Sequence, residues 1–229
     1  MRQFLLDFYH DRTFSSTLMK IAIPIILQNL ISSSLNMIDT IMIGRVGTLE
    51  LAAVGVATQF FFFHIVALTG GCSGFCIFIA QYWGKQNIPA IKRYLGIILL
   101  YVSGVGILFT LAGIFFAEQI IFLFNDDPQV INLGALYIRT LAFGTLFSGF
   151  TYAFGFASRS IENSFLPMIA STIALVTNTF MNYVLIFGKL GLPALGVQGA
   201  ALATVISQLI SCLYVLRFLF SRNVPVHYG

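Results

Sequence analysis

Charge is scarce in this chain of 229 residues: Asp, Glu, Lys and Arg together make up 9% of it, against about a quarter in soluble domains. So few charged side chains cannot clothe a water-facing surface, which excludes a soluble globular enzyme or regulator. The twelve basic residues are dispersed and nowhere form a patch that could track a phosphate backbone, so the net charge of +4 does not point to nucleic acid. Cysteine is also rare. Cys72, Cys76 and Cys212 have no His or carboxylate beside them in sequence to complete a metal set, and they read as small buried thiols. The long apolar runs contain no HExxH, no paired Asp motif and no Ser–His pairing, so no enzymatic activity is expected. Long polar, Gly/Ser-rich linkers are missing too, and with them any sign of a second soluble domain.

What remains is hydrocarbon. Apolar residues make up 58% of the chain, and 24 of them are Phe. The expected fold class is all-α: a polytopic membrane protein with six transmembrane helices. The spans are placed at 14–43, 50–81, 91–116, 130–157, 164–187 and 197–220, and together form a single six-helix lobe over 1–229. The connections are short. The third, 117–128, carries Glu118, Asp126 and Asp127, and the last reads KLGLPALG, rich in turn formers. Residues 1–13 mix Phe4, Leu5, Phe8 and Tyr9 with charges and read as an amphipathic segment on the membrane surface. Basic residues orient the bundle. Arg2, Arg12, Lys20, Lys85, Lys92, Arg93, Arg159, Arg217 and Arg222 fall on the amino-terminal side, and only Arg45 and Lys189 on the other. Both termini are therefore expected in the cytoplasm, with the protein in the plasma or inner membrane.

Within the first span lies one carboxylate, Asp39. At helical spacing Asn29, Ser32, Asn36, Asp39 and Thr40 share one face. A lone Asp in hydrocarbon costs about 2.5–3.5 kcal/mol on insertion scales. This polar stripe must therefore face a bundle interior or a wet cavity, and Asp39 reads as an ion or proton site. Pro24, fifteen residues earlier, removes a backbone hydrogen bond and is expected to bend or soften the helix.

Other polar groups lie at membrane depth. Asn178 and Asn182 stack at i, i+4 in the fifth span, and Ala200 and Thr204 do so in the sixth. Two readings stand for them: an oxygen cage for a hard cation such as Na+, closed by Asp39, or interhelical hydrogen bonds. The cage requires the first, fifth and sixth spans to be neighbours. His64 in the second span is either a titrating group or a packed, hydrogen-bonded ring. Arg139 in the fourth either lines a cavity, pairs with an acid or carbonyl, or reaches the outer surface.

Several separated stretches, in order, resemble the multidrug and toxic compound extrusion (MATE) family. They are the helix from Pro24 to Asp39, DTIMIGRVGTLELAAVGVATQ from Asp39 to Gln59, AQYWGKQN from Ala80 to Asn87, and IFGKLGLPALGVQGAALATVISQ from Ile186 to Gln208. The resemblance implies one lobe of a twelve-helix transporter, the amino-terminal one. The missing partner would be a carboxy-terminal lobe or a second copy of this chain. It also implies cation-coupled antiport (Na+ or H+, no cofactor) that exports amphipathic, cation-like organic compounds by alternating access. Lipid-linked saccharide flippases of the same superfamily, or a non-transporting membrane subunit, are the alternatives. By resemblance, Asp39 matches the carboxylate that binds the coupling ion, and Asn178 and Thr204 match its amide and hydroxyl partners. Ala200 matches a backbone carbonyl donor and Tyr137 a nearby tyrosine. Na+ would sit at Asp39, Asn178 and Thr204. Where some members carry a second Asp, this chain has Asn182.

Overall fold

The computed structural model describes residues 12–219, and all elements among them are helices. The amphipathic amino-terminal segment lies for the most part outside the described residues. Eight helices follow in order: α1 (Arg12–Gly44), α2 (Thr48–Gly84), α3 (Ile88–Phe115), α4 (Ala117–Phe122), α5 (Pro128–Ala142), α6 (Gly144–Ser160), α7 (Phe165–Phe187) and α8 (Gly196–Leu219). Five of them are long and apolar enough to cross a membrane, and α5 with α6 makes a sixth, bent span.

Local chemistry sets the boundaries. At the start of α3 the Asn87 side chain accepts from the Ala90 N–H at 3.2 Å, with Pro89 in the first turn. At the start of α5 Asp127 Oδ1 accepts from the Gln129 N–H at 2.8 Å, ahead of Pro128. Helix α7 stops at Gly188, whose φ of 64° is left-handed. A Cβ there would also meet the Ala194 nitrogen at 2.6 Å, because the following turn folds back onto the helix end.

Two apolar cores form in the bundle. One gathers Ile43, Ala57, Ile121, Ile138, Ile186 and Ala201; the other gathers Leu68, Ile79, Ile98, Ala153, Leu166 and Val215. Cys72 and Cys76 are buried in the second core. Helices α7 and α8 pack closely because Gly199 has no side chain; a Cβ would come within 2.6 Å of the Leu185 carbonyl oxygen. Helix α1 packs mainly on α7 and leaves Leu30 and Met37 59% and 65% exposed.

Two expectations need correction. The segment 130–157 is not one straight span: α5 and α6 meet at Phe143 with a 51° bend. No proline lies there. The hydroxyls of Thr110 and Thr145, 2.7 Å apart, reach the Ala142 carbonyl at 3.1 and 2.8 Å, and Thr145 also reaches the Gly106 carbonyl at 3.2 Å. Side chains entering the backbone ladder are a known cause of bending. Helix α1 is continuous from Arg12 to Gly44, with Pro24 buried within it. The connection 117–128, expected as a loop, also holds a short helix, α4.

Candidate functional site

Helices α1, α7 and α8 bring four predicted side chains into one hydrogen-bonded chain. Asn182 of α7 is fully buried. Its Nδ2 donates to Asp39 Oδ1 across the α1–α7 contact and to Asn178 Oδ1 at 2.9 Å. Asn178, one turn away and equally buried, donates from Nδ2 to Thr204 Oγ1 at 3.2 Å. The Thr204 hydroxyl donates to the Ala200 carbonyl at 3.1 Å. Regular α-helical register is what makes this possible, since each i, i+4 pair presents both members to the same neighbour.

Both hydrogens of the Asn182 amide are thus engaged, while its Oδ1 is buried with no partner. An orphaned oxygen acceptor beside a carboxylate is the donor set a hard cation, or a proton on Asp39, would use. The residues present fit a hard cation, or a proton on Asp39. One carboxylate, two amide oxygens, a hydroxyl and a carbonyl make an all-oxygen set carrying a single negative charge.

The cluster opens onto a cavity of about 670 Å³ between α1, α2, α5, α6, α7 and α8. Asp39 is the one charged side chain lining it among the described residues. Ser32, Asn36 and Thr40 continue the α1 stripe along the wall, and the Thr40 hydroxyl folds back onto the Asn36 carbonyl at 2.8 Å. Tyr137, 6% exposed, lines the wall and meets Phe61 edge-on with ring centroids 6.4 Å apart. His64 also lines it, 5.0 Å from the Phe109 ring.

Arg139 does not line the cavity; of the alternatives open to it, the structure shows pairing with an acid. Its Nη2 lies 2.8 Å from Glu118 Oε1, with the two side chains 48% and 53% exposed. The short helix α4 packs on α5 and brings Glu118 within reach of the guanidinium in the last turn of α5. Sequence reasoning missed Gln208 and Thr145, which also line the cavity. Gln208 could have been found, because it stands one turn beyond Thr204 on the same face of α8. Thr145 could not, because its role depends on the bend.

Comparisons with known proteins agree with this architecture. The chain is 30% identical over 209 residues to the probable multidrug resistance protein YoeA of Bacillus subtilis, covering 90% of this chain and 45% of that one. It is 29% identical over 215 residues to the probable multidrug resistance protein NorM of Agrobacterium fabrum, covering 94% and 46%. The chain therefore spans about half the length of these relatives. A solved outward-facing multidrug resistance MATE family transporter of the MOP superfamily superposes with a TM-score of 0.85 at 22% identity, over 93% of this chain and 47% of that one. The MatE family model matches residues 24–184, which run from the proline of α1 to the end of α7. With the fold, the relatives and the family model in agreement, the chain belongs to the MatE family.

Proposed function

We propose that this chain is the cation-binding lobe of a secondary antiporter that exports amphipathic organic cations, driven by entry of Na+ or H+ at Asp39. The observation that carries the reading is the Asp39–Asn182–Asn178–Thr204 chain opening onto an aromatic-walled cavity. A cation on these oxygens neutralises Asp39 and removes the need for the Asn182 N–H to face it. Turning the Asn182 carboxamide over would direct its orphaned Oδ1 toward the ion and shift how α1 seats on α7. Ion binding would thereby be coupled to the position of α1, which forms one wall of the cavity. Alternating access then requires a second body rocking against this one about the cavity. Transport rather than catalysis is the reading, as the names of the relatives suggest. Phe61, Phe62 and Tyr137 offer ring faces to a cation. Among the described residues no Lys or Arg lines the cavity, which argues against a saccharide-phosphate cargo.

The test is gradient-driven movement of a fluorescent cationic dye across proteoliposomes, with the chain joined to a complete second lobe from a relative. Asp39→Asn is expected to abolish the gradient dependence while leaving insertion intact. Unchanged dye movement in that variant refutes the assignment.

A further inference from the structure

The motif AQYWGKQN, where α2 joins α3, takes no part in the Asp39 site, and none of its residues lines the cavity. It ends α2 in a turn fixed by its own backbone. The Lys85 N–H donates to the Gln81 carbonyl at 3.3 Å, the Gln86 N–H to Trp83 at 3.0 Å and the Asn87 N–H to Tyr82 at 3.0 Å. Gln86 takes a left-handed φ of 54° to close the turn, and its Nε2 also reaches the Trp83 carbonyl at 3.1 Å. Two exposed cations flank the turn, Lys85 and Arg93. No Asp or Glu occurs between Glu50 and Glu118, and neither cation is paired with a carboxylate among the described residues. An aromatic shelf joins the two helices here. Tyr94 stacks on Phe78 with ring centroids 5.0 Å apart and on Tyr82 at 5.5 Å, and Lys85 Nζ stands 6.0 Å from the Tyr82 ring. Beyond the shelf the surface is apolar. Arg93, Ile97 and Leu100 share one face of α3 at i, i+4 and i+7, and Ile97, Leu100 and Phe78 are all exposed.

We propose that Lys85 and Arg93, beside this aromatic shelf, hold the phosphodiester headgroup of an anionic phospholipid whose acyl chains lie along Phe78, Ile97 and Leu100. The order of groups along the helix axes carries the assignment: cations at the turn, then Tyr82, Trp83 and Tyr94, then exposed hydrocarbon. A phospholipid presents the matching order, from charged headgroup through the ester region to the chains. Tyr and Trp settle at the headgroup level of a bilayer, so these rings set the depth of the turn and bring the cations beside them to the phosphates. Charge then selects among lipids. Two positive side chains with no acid beside them favour a headgroup of net negative charge over a zwitterionic one. An acidic peptide or a soluble phosphate would meet the cations and leave the apolar face beneath them uncovered. The inference is independent of the export reading, because it uses no residue of the Asp39 cluster or of the cavity.

Trp83 is the single tryptophan of the chain and lies in this turn, so its fluorescence reports which lipid is beside it. The 229-residue chain is placed in nanodiscs of phosphatidylcholine and phosphatidylglycerol, with bromine near the top of the acyl chains of one lipid or the other at equal mole fraction. Brominated phosphatidylglycerol is expected to quench Trp83 more strongly than brominated phosphatidylcholine. Lys85→Gln and Arg93→Gln should each lower that preference about fivefold, the attraction of one basic residue to an anionic surface, and the double variant should show none. Lys20→Gln and Arg217→Gln remove positive charge on α1 and α8, helices packed mainly on α7. They should change the preference less than about twofold, because screened charges do not act across the bundle. Molar salt should abolish the preference in the unmodified chain, which tests the need for charge without any substitution. Equal quenching by the two lipids in the unmodified chain overturns the site, as does an equal loss of preference in all four single variants, which would show a diffuse field. Loss of preference on adding millimolar glycerol phosphate at constant ionic strength overturns the lipid in favour of a soluble anion.

Discussion

At the scale of single residues, Asn182 determines what Asp39 can be. Its amide is fully buried and spans the gap between the carboxylate and Asn178. Asn182→Leu should remove one charge-assisted bond, worth about 1.5–3 kcal/mol, and leave Asn178 without its donor. We expect Na+ affinity, measured by calorimetric titration, to drop at least tenfold, and dye binding to change much less. Asn182→Asp should do the reverse by adding a second negative charge to the oxygen set. If Na+ affinity is the same in all three proteins, the cluster is a set of interhelical hydrogen bonds and nothing more. Thr145→Val tests the other polar centre. It deletes hydroxyl bonds to Ala142 and Gly106 and should cost about 1–2 kcal/mol, read as a lower unfolding midpoint in detergent.

At the scale of helices, two close approaches hold the site in register. Gly199 lets α8 lie against the α7 backbone, and that contact brings Thr204 to Asn178. Gly199→Val should push the helices apart and cost about 1–3 kcal/mol as an overpacked contact. Thermal unfolding measures the stability loss, and cation titration should show weaker binding in the same variant. The bend at Phe143 is the second feature. Leu141 before it and Thr145 after it both line the cavity. Helix α1 differs from both in having few buried positions along its length. It is thus the element with least packing to hold it in place, consistent with a wall that moves.

At the scale of the whole molecule, the chain spans about half the length of its relatives, and the proposed alternating access would need a second body. We expect the isolated 229-residue chain to bind a cation and to drive no gradient-dependent dye movement. Proteoliposomes with an imposed Na+ or H+ gradient measure this. Dye movement that Asp39→Asn removes would show instead that copies of the chain pair into a working transporter. From the distribution of Lys and Arg we expect both termini on the cytoplasmic face. A membrane-impermeant thiol reagent should then label Gln86→Cys only from inside and Gly191→Cys only from outside; the opposite pattern inverts the topology.

The number and order of the spans were legible in the chain because the bilayer demands about twenty apolar residues per crossing. The sequence meets that demand at 14–43, 50–81, 91–116, 164–187 and 197–220 with little ambiguity. The polar cluster was legible for the same reason. Asp39, Asn178, Asn182 and Thr204 are too costly to face lipid, so helical spacing turns them inward, and their meeting then depends on which spans are neighbours. What the linear pattern could not show was anything decided by packing between spans. The bend at Phe143 carries no proline and arises from hydroxyls on two helices meeting one carbonyl. Which acid pairs with Arg139 was equally hidden, because a short helix places Glu118 beside it from twenty-one residues away. Lipid sorts residues by their own polarity, which is written in the sequence. Cavities and kinks depend on which surfaces touch, and that is settled only when the helices pack.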